Sequence, residues 1–234
     1  MEHKRLTLFA GHYGSGKTNI AVNYAIHLAK EGKRVCIGDL DIVNPYFRTK
    51  DSEQALLEEG VELISPQFAN SNVDLPALPA EAYRLVEDKT VYAIMDIGGD
   101  DRGAYALGRY VPAIRREGNY RMIFVANCYR PLTRTPREAL EVLREIESAC
   151  GLAFTDLINN SNLGTETTPE TVLDSLDYIK ELGQLSGLPL FTHTAESSVA
   201  QALKNKLSPV FPLRLQEKYF DLPSQKPGNR PLWG

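Results

Sequence analysis

The strongest chemical signal in the chain is one unbroken run: Gly11, His12, Tyr13, Gly14, Ser15, Gly16, Lys17 and Thr18. It fits the spacing G-x-x-x-x-G-K-[ST] and lies between a short apolar run and an amphipathic stretch, as a phosphate loop requires. Glycines let the backbone turn its N–H groups inward around phosphate oxygens. A helix opening at the end of the loop adds a partial positive charge. Lys17 supplies a mobile cation for β- and γ-phosphates, and the Thr18 hydroxyl suits Mg²⁺. Asn19 continues the ligand-facing segment. The dinucleotide spacing G-x-G-x-x-G fails, because Gly14 and Gly16 are followed by Lys17, Thr18 and Asn19. A nicotinamide enzyme therefore loses its main support.

A phosphate loop alone hydrolyses nothing: magnesium needs a carboxylate and water needs an orienting group. Val91 to Asp96 reads as an apolar strand ending in an acid, followed by Ile97, Gly98, Gly99, Asp100 and Asp101. An acid at the C-terminal edge of such a strand faces the ligand crevice of an open α/β sheet. Asp96 is thus the candidate magnesium carboxylate, and Gly99 can present its N–H near a γ-phosphate. Asp100 and Asp101 read as solvated loop acids. Asp39 and Asp41 close the second strand on the same side of an extended segment. Two acids beside a triphosphate repel ATP unless magnesium or a proton intervenes. Asp41 is then placed to orient or deprotonate water. The expected catalytic set is Lys17, Asp41 and Asp39; the expected metal set is Thr18, Asp96 and Asp41.

These residues need elements to hold them. Apolar runs at Leu6–Ala10, Val35–Asp39, Val61–Ile64, Val91–Ile97, Arg121–Ala126, Leu157–Asn159 and Leu188–Thr192 are short and bounded by turn residues, as buried parallel strands are. Thr18–Glu31 has a helical apolar face and stops at Gly32. Thr135, Pro136 and Glu138 form a capping box for a helix over Pro136–Cys150. Thr168 and Pro169 start another, expected over Pro169–Leu185. Alternation of this kind implies crossover connections. The expected fold is a single-domain α/β P-loop NTPase: a mostly parallel sheet of about seven strands flanked by helices. The domain spans residues 1–206. Residues 207–234, rich in proline, read as a tail packed on that domain or fraying from it.

Composition bounds the alternatives. The 234 residues are 43% hydrophobic and 24% charged, with a formal charge of −4. That balance argues against unspecific grip on nucleic acid or an anionic membrane. No apolar run is long enough to span a membrane or to serve as a signal peptide, so the expected compartment is the cytoplasm. Cys36, Cys128 and Cys150 are scattered, without CxxC spacing, which argues against a disulfide framework or a self-contained metal cluster. A metal role for Cys128 would need a symmetric partner. Asn127 and Arg130 follow the fifth strand and read either as contacts to an acceptor or as plain loop. Arg102 and Arg109, and Tyr46 with Phe47, divide the same way between site contacts and surface or core.

The combination resembles the deviant Walker-A P-loop ATPases of the MinD, ParA and CobQ/CobB group over roughly residues 5 to 205. The resemblance rests on the phosphate loop, on Asp39-Leu40-Asp41 after the second strand, and on Asp96-x-x-Gly99. It implies ATP and Mg²⁺ as cofactors, Asp41 positioning water, Asp96 serving magnesium, and Asn159 or Asn160 reading adenine. An amide suits a base edge because it both donates and accepts. The signature lysine of that group falls on His12 here, and Tyr13 replaces a glycine. Unperturbed histidine is charged only below about pH 6.5, which weakens the implied homodimer. The implied function is a slow ATP-hydrolysing switch acting on a protein client. The alternatives are a dethiobiotin-synthetase or CobB-like enzyme phosphorylating a small carboxylate, and a non-hydrolysing nucleotide-binding module. A MinD-type membrane helix is broken by Pro209 and Pro212.

Overall fold

Strands form where the short apolar runs lie. In the computed structural model, which describes residues 3–41, 49–65, 80–99 and 101–215, they are β1 (Leu6–Ala10), β2 (Val35–Leu40), β3 (Glu62–Ile64), β4 (Tyr92–Ile97), β5 (Tyr120–Ala126), β6 (Asp156–Asn159), β7 (Leu190–Glu196) and β8 (Val210–Leu213). They pair in one sheet in the order β3-β2-β4-β1-β5-β6-β7-β8. Every neighbouring pair is parallel. The central strands are buried on both faces, so their sequences run apolar without alternation.

Helices fill the crossovers: α1 (Lys17–Lys30), α2 (Glu53–Glu58), α3 (Arg84–Glu87), α4 (Asp101–Gly108), α5 (Val111–Glu117), α6 (Pro136–Cys150), α7 (Pro169–Leu173), α8 (Leu176–Ser186) and α9 (Ser197–Leu203). The pleat divides the core in two. Leu6, Leu8 and Ala10 of β1 join the layer beneath α4, α6 and α8. Phe9 points the other way, into the layer containing Ile20, Ala21 and Leu28 of α1. The α6 capping box is present as expected: the Thr135 hydroxyl accepts from Glu138 N–H while Glu138 accepts from Thr135 N–H.

Two expectations need correction. The sheet has an eighth strand, formed from the start of the expected tail. Pro212 inside Val210–Leu213 argues against a strand, yet among the described residues β8 lies at the sheet edge, where a missing N–H faces no strand. Residues 216–234 of that tail lie outside the described residues. The single helix expected over Pro169–Leu185 is two, α7 and α8. The break falls at Ser175, whose buried hydroxyl turns back to donate to Val172 C=O, offering the backbone an alternative to continued helix.

The N-terminal end of the sheet is closed by Arg5. Its guanidinium donates to the carbonyls of Leu85, Asp88 and Val91 and pairs with Glu117. Lys89 also reaches Glu117, at 2.7 Å. Among the described residues no helix is long and apolar enough to cross a membrane.

Candidate functional site

The crevice lies at the opposite, C-terminal end of the strands, and β1 feeds it first. Gly14 and Gly16 sit at φ 76° and 88°, in the left-handed region that glycine enters without a Cβ penalty. Gly16 is the N-cap of α1. No side chain among the described residues caps this helix, and its first turn holds no acid. The first backbone N–H groups of a helix have no intrahelical partner, so an uncapped, acid-free start is chemically a site for an anion.

Three acids converge beneath the loop. β2 and β4 are adjacent, and their register sets Asp39 opposite Asp96. Asp39 accepts from Asp41 N–H at 3.1 Å, which turns the chain back after β2. Lys17 Nζ stands 3.1 Å from Asp41 Oδ2, and both side chains are only 4% exposed. Asp96 is wholly buried. Its Oδ2 accepts from the Thr49 hydroxyl at 3.2 Å, while its Oδ1 has no hydrogen-bond partner among the described residues. Burial pushes the Asp96 carboxyl up to about 6, and Asp41 adds to this. Lys17 and the Thr18 and Thr49 hydroxyls oppose it. A buried, unpartnered carboxylate oxygen beside a threonine hydroxyl fits a hard, oxygen-seeking cation. Thr18 and Asp96 are the oxygen donors here that could hold such a cation, with Asp41 close by.

The loop is buttressed from three sides. A Cβ on Gly99 would lie 2.6 Å from Gly11 C=O and 2.9 Å from Tyr13 N, so the segment after β4 touches the phosphate loop directly. Arg130, after β5, donates from Nε to Gly14 C=O at 2.9 Å. Asn160, after β6, donates to Ser15 C=O at 2.6 Å and accepts from the Thr194 hydroxyl at 2.7 Å. A Cβ on Gly16 would meet that same Asn160 amide at 2.3 Å. Ser15 Oγ is buried, with no hydrogen-bond partner among the described residues. On the outer face, His12 Nδ1 lies 3.0 Å from Tyr13 C=O, and the Tyr13 ring is 53% exposed.

Lys17, Asp41, Asp96, Gly99 and Asn160 thus lie on or beside the loop, and Asn159 lies deeper. Asn159 is fully buried and bonds to Ser175, His193 and the Ser161 N–H, which ties β6 to α8 and β7. It faces the fold interior. Thr49 is a site residue that no motif marks; its signal is only spatial, its hydroxyl reaching Asp96 across sequence. Asn127 holds the next loop, accepting from Tyr129 and Asn162 N–H groups, and its buried Nδ2 has no partner among the described residues. Burial raises the thiols of Cys36 (to about 12), Cys128 and Cys150. Tyr46, Phe47, Asp100 and the Arg102 side chain lie outside the described residues.

Solved structures share this arrangement of strand, loop and helix. FtsY from Mycoplasma mycoides superposes with a TM-score of 0.53 at 16% identity, over 81% of this chain and 60% of that one. The chain has the P-loop NTPase fold. Chloroplast FtsY from Physcomitrella patens matches at 0.51 and 19% identity over 81% and 58% of the two chains. FtsY from Thermotoga maritima matches at 0.50 and 18% over 79% and 60%. This P-loop chain therefore spans about three fifths of the length of those proteins. No protein-family model and no curated protein matches it.

Proposed function

We propose that the protein binds Mg·ATP, hydrolyses it slowly and works as a switch on a protein client in the cytoplasm. The observation that carries this reading is the buried Lys17–Asp41 pair beneath an uncapped helix N-terminus. The pair neutralises two charges that would otherwise be costly to bury. When a phosphate enters the loop, Lys17 turns to it. Asp41 Oδ2, no longer facing Lys17, would then take up the attacking water. Thr18 and Asp96 would hold magnesium, which offsets charge on the β- and γ-phosphates. Gly99, packed on the loop, would present its N–H to the phosphate end. Of the two amides considered for the base, Asn160 is assigned the support of the loop at Ser15, and Asn159 the joining of β6 to its neighbours.

The outer face favours a protein partner over a self-sufficient dimer. His12 replaces the lysine that the MinD and ParA group would offer across a dimer, and Tyr13 stands exposed beside it. We read this face as the one a client covers.

Calorimetric titration with Mg·ATP and, in parallel, Mg·GTP tests the reading. ATP is expected to bind the tighter of the two. Lys17→Ala should abolish binding, and Asp41→Asn should keep binding but lose phosphate release. Unchanged affinity in Lys17→Ala overturns the site. A small carboxylate that accelerates turnover by the pure protein replaces the switch with a phosphorylating enzyme.

A further inference from the structure

At the far end of α1, away from the phosphate loop, two histidines and a carboxylate meet. His27 and Glu31 are one helical turn apart in the last turn of the helix, and His3 comes from the segment leading into β1. His3 Nε2 lies 3.1 Å from Glu31 Oε2, and His27 Nε2 lies 3.3 Å from Glu31 Oε1. One ligand atom from each of the three falls within 4.8 Å of the others. We propose that His3, His27 and Glu31 form a site for a divalent transition metal of the zinc class, separate from the magnesium site.

The spacing supports this. Zinc bound tetrahedrally at about 2.0–2.1 Å places its ligand atoms roughly 3.3 Å from one another. Each imidazole already stands at about that distance from one oxygen of Glu31, and one ligand atom from each residue lies within 4.8 Å of the others, a gap that side-chain rotation can close. The donor set of two imidazoles and one carboxylate selects zinc, copper or nickel over magnesium or calcium. A ligating histidine ordinarily gives its other ring N–H to a fixed acceptor. His3 Nδ1 has a partner in reach, the hydroxyl of the buried Tyr24 at 3.0 Å, and the tautomer that donates to it leaves Nε2 bare for the metal. The His27 ring is held edge-on by Phe211 of β8, with centroids 5.4 Å apart. The site also sits at the negative end of the α1 dipole, which favours a cation. His3 is 13% exposed while His27 and Glu31 are 44% and 40% exposed, so an ion can enter from solvent. Three protein ligands leave the fourth position to water. The bound ion would clamp the segment before β1 onto the helix that carries Lys17.

Isothermal titration of Zn²⁺ into the full chain tests the proposal, with Co²⁺ as the spectroscopic probe. One equivalent should bind, and Co²⁺ should show the intense visible absorption of a tetrahedral site. His27→Gln and Glu31→Gln, both at exposed positions, should each weaken Zn²⁺ binding at least tenfold. Cys128→Ser should leave it unchanged. Mg·ATP affinity should also be unchanged in His27→Gln. The proposal is overturned if one equivalent fails to bind. It is equally overturned if His27→Gln and Glu31→Gln bind like the parent, or if Cys128→Ser removes the signal.

Discussion

Asp96→Asn should make the nucleotide-free protein more stable at neutral pH while destroying its magnesium-dependent binding. The Asp96 carboxyl moves from 3.8 to about 6 on folding, chiefly through burial. The native state therefore holds this proton more tightly than the unfolded chain does. Stability from the protonated form is full below about pH 4 and is lost as pH rises through about 6. At 1.36 kcal/mol per unit, the loss amounts to about 3 kcal/mol by pH 7.5. Asparagine keeps the shape and carries no charge, so it escapes that loss. Its amide leaves a buried N–H₂ in the place of Oδ1, a pH-independent cost of about 1–3 kcal/mol. Comparing two pH values cancels that cost. Urea unfolding of both proteins at pH 4.5 and 7.5, without nucleotide, should show the difference (variant minus parent) growing in favour of Asp96→Asn by about 2 kcal/mol. Added Mg·ATP should raise the parent's midpoint and leave that of Asp96→Asn nearly unmoved. A difference that stays flat with pH, or grows the other way, would refute the claim that Asp96 bears a buried charge for the sake of its ligand.

Two further outcomes follow from the buttresses of the loop. Gly99→Ala places a methyl group 2.6 Å from Gly11 C=O, against backbone that cannot swing aside, and should lower ATP affinity at least about tenfold, with unchanged circular dichroism. Parent-like affinity in calorimetry would show that the loop does not rest on this segment. Arg130→Ala removes the donor to Gly14 C=O, worth about 1 kcal/mol, and should weaken binding about fivefold; stopped-flow should place the change in the off-rate.

Much of this site could be read from residue types because its chemistry is local. The loop, the acid closing β4 and the pair closing β2 each sit next to the strand that aims them, so spacing alone predicts their convergence. What escaped the sequence depends on contacts between distant segments. Thr49 meets Asp96 only because β2 and β4 are neighbours in the sheet. Asn159 and Asn160 are adjacent and chemically identical, and only the pleat decides that one enters the fold and the other touches the loop. The break between α7 and α8 depends on Ser175 finding partners in β6 and in its own preceding turn. β8 is tolerated because, among the described residues, no strand pairs beyond it, a fact of position that no propensity records.

Arg5 gives the central strand a further property. Its guanidinium is saturated by three carbonyls and Glu117 only when β1 stands in one alignment beside β4 and β5. Slide β1 by one residue and every side chain changes face, while a charged group with five donors is left buried without acceptors. An apolar strand among apolar strands has little else to tell correct alignment from near misses. The arginine thus acts as an index mark for assembly, and the phosphate loop, whose position is counted from the end of the same strand, inherits its placement from that mark.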